Sequence, residues 1–196
     1  MSTLFYVIGA SGAGKDTLMN YARTTINGEK AVIFAHRYIT RPPNNGNESH
    51  VHLTAPEFKL RIEAGFFALH WESHGNHYGI GTEIDTWMEK GCNVVVNGSR
   101  EYLPVAQQRY PEMIVILVEA SPETISIRLA GRGRETAEEI EKRIRRSSQI
   151  NCNLSNCIKI QNNDSVENAG DELIKIICSQ SESVTLPAFP MLKSAH

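Results

Sequence analysis

The segment Gly9-Ala10-Ser11-Gly12-Ala13-Gly14-Lys15 constrains this chain more than any other. It follows an apolar run at residues 4–8 and opens a stretch of helical spacing at residues 15–25. In that strand–loop–helix setting, G-x-x-x-x-G-K is a phosphate cradle. Glycines let the chain turn tightly enough for several backbone N–H groups to converge on an anion. The helix that follows adds the positive end of its dipole, and the lysine reaches the outer phosphates of a nucleotide. The spacing therefore predicts a nucleotide site built from Gly9, Ala10, Ser11, Gly12, Ala13, Gly14, Lys15, Asp16 and Thr17, with Lys15 as a catalytic cation. A glycine-rich turn that binds nothing is the alternative, and the complete set of glycines plus lysine speaks against it.

The remaining pattern fits an α/β fold. Short runs rich in Val and Ile at residues 4–8, 32–39, 93–96, 113–118 and 158–160 read as buried strands. Helical spacing fills residues 82–90, 102–110, 122–131, 137–150 and 166–178, so a parallel sheet flanked by helices is expected. Residues 40–81 break the rhythm with Pro, Asn, Gly and His, and read as an inserted subdomain carrying one amphipathic helix. Residues 131–137 read as a short lid between helices, and residues 181–196 as a C-terminal tail. The core is then 1–39 and 82–180.

Composition narrows the partners. Lys plus Arg number 20 against 22 Asp plus Glu, a formal charge of −2, which argues against nucleic-acid binding through bulk charge. No apolar run approaches the roughly 18 residues needed to span a bilayer, and the N-terminus lacks the cationic start of a signal peptide. A cytoplasmic location is the expectation. Cys92, Cys152, Cys157 and Cys178 form no C-x-x-C pair and read as reduced thiols. The helix at residues 137–150 faces either the core or a second copy of the chain, so a homodimer is a candidate assembly.

Two positions depart from the usual nucleotide-binding pattern. Residue 16 is Asp where Ser or Thr commonly offers a hydroxyl to Mg²⁺. The middle strand ends in Asn97, where an Asp commonly organises the metal. A carboxylate beside a triphosphate is repelled unless a cation lies between them. Asp16 is therefore assigned to the metal, directly or through water, and Thr17 to a phosphate. Complementing the helix dipole is the alternative role for Asp16.

Beyond the cradle, residues 4–178 resemble the guanylate kinase family. Tyr38-Ile39-Thr40-Arg41-Pro42 is similar to its acceptor-phosphate segment, and Phe66-Phe67-Ala68-Leu69-His70 through Gly75-Asn76-His77-Tyr78-Gly79 to its acceptor subdomain. Arg132-Gly133-Arg134-Glu135-Thr136 and Glu139-Ile140-Glu141-Lys142-Arg143 resemble its lid and the helix after it. The resemblance implies a P-loop kinase that uses ATP and Mg²⁺ to phosphorylate a phosphate group. Arg132 and Arg143 would close on ATP as catalytic residues, Arg41 would hold the acceptor, and Arg128 and Arg134 would assist. Guanidinium forks suit this work because they bind phosphate oxygens bidentately and stay charged.

The family's guanine-reading positions are not kept. Its base-pairing acid falls on Leu69, a second acid on Ser99, a second phosphate arginine on Asn44 and a tyrosine on His50. Leucine accepts no hydrogen bond, so guanine should be a poor ligand. His50, His52, His70, His74 and His77 instead crowd the insert beside Arg37, Arg41 and Arg100, suiting an anionic, sugar-sized acceptor. Several unrelated surface and core histidines are one alternative, and a zinc site at His50-x-His52, without a third ligand at suitable spacing, is another. The cradle, residues 36–42 and 78–80, and Val96-Asn97-Gly98-Ser99-Arg100 together resemble one branch, the ribose 1,5-bisphosphate phosphokinases of bacterial phosphonate utilisation. That branch implies phosphorylation of ribose 1,5-bisphosphate to 5-phosphoribosyl 1-diphosphate. Arg37, Arg41, His50, His77, Tyr78, Asn97 and Arg100 would then line the acceptor site. An ordinary nucleoside monophosphate kinase and an inactive kinase-like interaction module are the alternatives.

Overall fold

The computed structural model describes residues 2–28, 30–42, 50–131 and 157–179. The first apolar run forms β1 (Leu4–Gly9), the central strand of a five-stranded parallel sheet. On one side lie β7 (Asn93–Asn97) and the edge strand β2 (Val32–Phe34); on the other lie β8 (Ile114–Glu119) and β9 (Cys157–Gln161). The inner strands β1, β7 and β8 carry continuous apolar runs because helices cover both faces, whereas the edge strand β9 exposes Ile158, Lys159 and Gln161. Phe5 and Val7 pack under α1 (Lys15–Ile26) and the last helix, α6 (Val166–Ser179), through Leu18, Ala22, Leu173 and Ile177. Leu4, Tyr6 and Ile8 point the opposite way, against Ile84 of α3 (Glu83–Glu89) and Leu103 and Ala106 of α4 (Leu103–Arg109). A fifth helix, α5 (Pro122–Ala130), is capped by Ser121, whose hydroxyl accepts from Thr124 N at 3.2 Å.

The insert forms a sheet of its own in the order β4-β3-β6-β5. β3 (Arg37–Ile39) runs parallel to β4 (His50–His52) and antiparallel to β6 (Asn76–Gly81). β5 (Phe67–Ser73) pairs with β6 across a two-residue turn, where His74 and Gly75 take φ of 53° and 70°. Positive φ at both central residues matches the right-handed twist of the strands. The helix α2 (Ala55–Glu63) covers one face, with Phe58 stacked on Phe67 at 4.6 Å.

Two features differ from the sequence-based expectation. Residues 32–39, expected as one strand, serve two sheets. Ala35 N still donates to Val95 O at 2.9 Å; beyond it the polar pair His36-Arg37 breaks the apolar run, and the chain leaves the edge of the main sheet. The second sheet thus begins at Arg37 rather than near residue 40. The insert, expected as irregular chain around one helix, holds three further strands. Among the described residues no helix is long and apolar enough to cross a membrane. Cys92 is buried, and Cys157 and Cys178 are partly so, with no disulfide among the described residues. Cys152, the helix at 137–150, the lid beyond residue 131 and the tail at 181–196 lie outside the described residues.

Candidate active site

The site forms at the C-terminal ends of β1 and β7, where the main sheet reverses its direction of strand addition, the usual ligand crevice of such sheets. From β1 the chain turns through the glycine loop into α1. Gly14 sits at φ 92°, and a Cβ there would lie 2.3 Å from Nδ2 of Asn162. Only glycine fits. Asn162, buried just past β9, donates from Nδ2 to Ala13 O at 2.7 Å, and Arg128 reaches the same carbonyl from α5 at 3.4 Å. Because the peptide is trans and planar, the Gly14 N–H is thereby turned to the opposite side. Asn162 is a buttress that sequence reasoning missed: 149 residues separate it from Ala13. Lys15 donates from Nζ to Gly9 O at 2.8 Å and Ala10 O at 3.1 Å, folding along the loop it serves.

Asp16, in the first turn of α1, faces β7. Asn97 Nδ2 donates to Asp16 Oδ1 at 2.5 Å, and Arg37 Nη2 approaches the same oxygen at 3.5 Å. One carboxylate oxygen so joins the nucleotide loop, the middle strand and the second sheet. Arg37 lies over the Tyr78 ring, its Cζ 5.7 Å from the centroid, and Tyr78 stacks on Trp71, which stacks on Tyr102. The Arg37 side chain, backed by this column, is only 13% exposed.

Strand periodicity sorts the rest of the insert. The registers Arg37↔His50, Ile39↔His52, Ile39↔Tyr78 and Trp71↔Tyr78 place Arg37, His50, His52, Trp71 and Tyr78 on one face. His50 Nε2 and His52 Nδ1 donate to Arg41 O at 3.1 and 3.0 Å, so the two imidazoles clamp the backbone of the expected phosphate anchor. A carbonyl only accepts, and each ring must therefore carry its proton on the nitrogen that faces it. His77 goes elsewhere. One residue from Tyr78, it points to the opposite face and stacks on Phe58 of α2 at 5.5 Å; its backbone, paired with Thr40, is what reaches the expected acceptor segment. His70 shares that far face and His74 occupies the hairpin tip, so the five histidines do not form one patch.

Tyr38, also on the α2 side, gathers a cluster that sequence reasoning did not single out. Its hydroxyl lies 3.4 Å from Glu83 Oε1, His36 Nε2 lies 3.6 Å from the same oxygen, and Arg61 covers the Tyr38 ring. Burial, reinforced by the Glu83 carboxylate, pushes the Tyr38 phenol up. Leu69 is 1% exposed and packs among Tyr6, Ile8, Ile80 and Ile84, in hydrocarbon rather than in a polar crevice. Ser99 is engaged through its backbone, whose N–H donates to the Tyr6 hydroxyl at 3.0 Å while its carbonyl accepts at 3.1 Å. Arg100 follows at the same end of β7, before α4. Arg132, Arg134, Arg143 and Asn44 lie outside the described residues.

A family model described as Guanylate kinase matches residues 1–180. The chain belongs to the guanylate kinase family. Membership makes it a phosphotransferase, and the loop and parallel sheet independently show the P-loop fold. The crystal structure of guanylate kinase from Anaplasma phagocytophilum superposes with a TM-score of 0.66 over 92% of this chain and 86% of that one, at 16% identity, a likeness of fold. Sequence likeness is closer elsewhere in the family. The ribose 1,5-bisphosphate phosphokinase PhnN of Thiobacillus denitrificans is 51% identical over 180 residues, 92% of this chain and 95% of that protein. The protein of the same name from Desulfomicrobium baculatum is 48% identical over 177 residues, 90% of this chain and 95% of that protein.

Proposed function

We propose that this chain is an ATP-dependent kinase that converts ribose 1,5-bisphosphate to 5-phosphoribosyl 1-diphosphate, in the cytoplasm and within phosphonate degradation. One observation carries the reading: the position where the family resemblance expects the guanine-reading acid is Leu69, sealed in the core, while the phosphate loop is complete. The names of the relatives that are about half identical over nine-tenths of the chain support it.

An oxygen of the 1-phosphate attacks the γ-phosphorus of ATP in line. A P–O bond forms as the bond to the ADP oxygen breaks, and ADP leaves with the electron pair. The attacking oxygen is already anionic near neutral pH, so positioning and charge neutralisation are what the protein supplies. Residues 9–17 hold the nucleotide. Lys15 exchanges its carbonyl partners for phosphate oxygens, and Arg132 and Arg143 close from the lid. Arg37, Arg41 and Arg100, with His50, Tyr78 and Asn97, take the anionic sugar; His77 contributes through Thr40 rather than by its ring.

The site suits Mg²⁺. Asp16 is an anionic oxygen donor in the first turn of α1, and its neighbour Asn97 has a buried amide oxygen with no partner among the described residues. Mg²⁺ characteristically takes one or two protein oxygens plus substrate phosphates. Asp16 would hold it, directly or through water, and the ion would neutralise charge on the transferring group.

Coupled ADP release with ribose 1,5-bisphosphate, GMP and AMP, and phosphorus NMR of the product, tests the proposal. The expected result is a diphosphate doublet from ribose 1,5-bisphosphate and little turnover of GMP or AMP. Efficient phosphorylation of GMP would replace the reading with nucleoside monophosphate kinase activity.

A further inference from the structure

In P-loop enzymes the nucleotide's Mg²⁺ is organised by a hydroxyl directly after the loop lysine and by a carboxylate at the end of a neighbouring strand. This chain has a carboxylate at the first place, Asp16, and a neutral amide at the second, Asn97. The two are not independent departures, because their side chains touch: Asn97 Nδ2 donates to Asp16 Oδ1 at 2.5 Å. The carboxylate count of the pair is unchanged, one in each arrangement; only its place differs. We propose that the metal-organising charge has been transposed from strand to loop, so that Asp16 and the amide oxygen of Asn97 together form the Mg²⁺ site. This deepens the kinase reading above and rests on it.

The amide is the informative partner. Asn97 is 5% exposed and closes β7 beside β1, paired in register with Val7. A carboxylate only accepts, so the NH₂ end must face Asp16. That leaves Oδ1 turned away, buried and without a partner among the described residues. A buried carbonyl oxygen in that state gains from any donor or cation. A divalent ion on Asp16 removes the reason for NH₂ to face it, and a turn about the last torsion offers the oxygen instead. Asp at position 97 would give the metal a charge, but it would also set two carboxylates in contact; Asn avoids this. Arg37, at 3.5 Å the longer contact to Asp16, is the one a cation displaces most readily.

The test exchanges the charges back. Mn²⁺ binding, followed by electron paramagnetic resonance in the presence of a non-hydrolysable ATP analogue, is compared for wild type, Asp16→Thr, Asn97→Asp, the double variant and Asn97→Leu. Thermal melting confirms that each is folded. Asp16→Thr and Asn97→Leu should each weaken Mn²⁺ about tenfold or more, and the double variant should recover most of the loss. A double variant no better than Asp16→Thr, or an Asn97→Leu protein that binds Mn²⁺ like wild type, overturns the transposition. Both outcomes leave the choice of acceptor untouched. If wild type binds neither the analogue nor Mn²⁺ with it, the kinase reading itself falls.

Discussion

At the scale of single residues, the candidate site depends on what cannot be replaced. Gly14 combines a left-handed backbone with an approach to Asn162 that leaves no room for a methyl group. Gly14→Ala should cost about 2 kcal/mol or more of stability and weaken ATP binding; urea denaturation and nucleotide titration measure the two. Leu69 offers a complementary experiment. Restoring the acid expected from the family resemblance with Leu69→Glu would bury a carboxylate among Tyr6, Ile8, Ile80 and Ile84. A loss of about 3 kcal/mol or more is expected, without appearance of GMP kinase activity. If the variant were instead stable and active on GMP, the position would still face a base. The cradle was legible because its chemistry is local in sequence. The contacts that hold it are not: Asn162 and Asn97 join the loop across 149 and 81 residues, and no pattern within one element announces either.

At the scale of elements, helix packing carries a pH signature. Tyr110, after α4, donates its hydroxyl to Asp85 Oδ1 of α3 at 2.6 Å, and Arg109 bonds both. Burial, helped by the Asp85 carboxylate, pushes the Tyr110 phenol up to about 12 from its ordinary 10. Below the ordinary value both folded and unfolded chains keep the proton, and the contribution to stability is complete. Above it the unfolded chain loses its proton first, so the contribution declines as pH rises towards the folded value. Urea midpoints measured from about pH 9 to about pH 11.5 should fall, and Tyr110→Phe should make that fall shallower. An unchanged slope would mean the phenol is not the titrating group. Strand–helix alternation was readable along the main sheet because its inner strands β1, β7 and β8 carry unbroken apolar runs. The second sheet was harder: β5 alternates as Leu69, His70, Trp71 and Glu72, and the turn signal His74-Gly75 lies in a segment whose polar composition resembles a loop. That alternation also decides the histidines. Neighbours on one strand point apart, which is why Tyr78 reaches Arg37 and His77 does not.

At the scale of the whole molecule, two sheets meet around one carboxylate and one aromatic column. The chain passes between them at Ala35–His36 and returns through β6 into α3, so the second sheet is tied to the core by both its entry and its exit. The column Tyr78–Trp71–Tyr102 runs from under the Arg37 guanidinium to the residue that precedes α4. The protein has two tryptophans, Trp71 and Trp87. In a Trp87→Phe background the emission of Trp71 should therefore shift when a phosphorylated sugar draws Arg37 off the Tyr78 ring stacked on it, and stay constant when ATP without a divalent ion is added. The same stack that steadies the arginine would then act as a built-in optical reporter of the proposed sugar substrate, readable without dye or coupling enzyme.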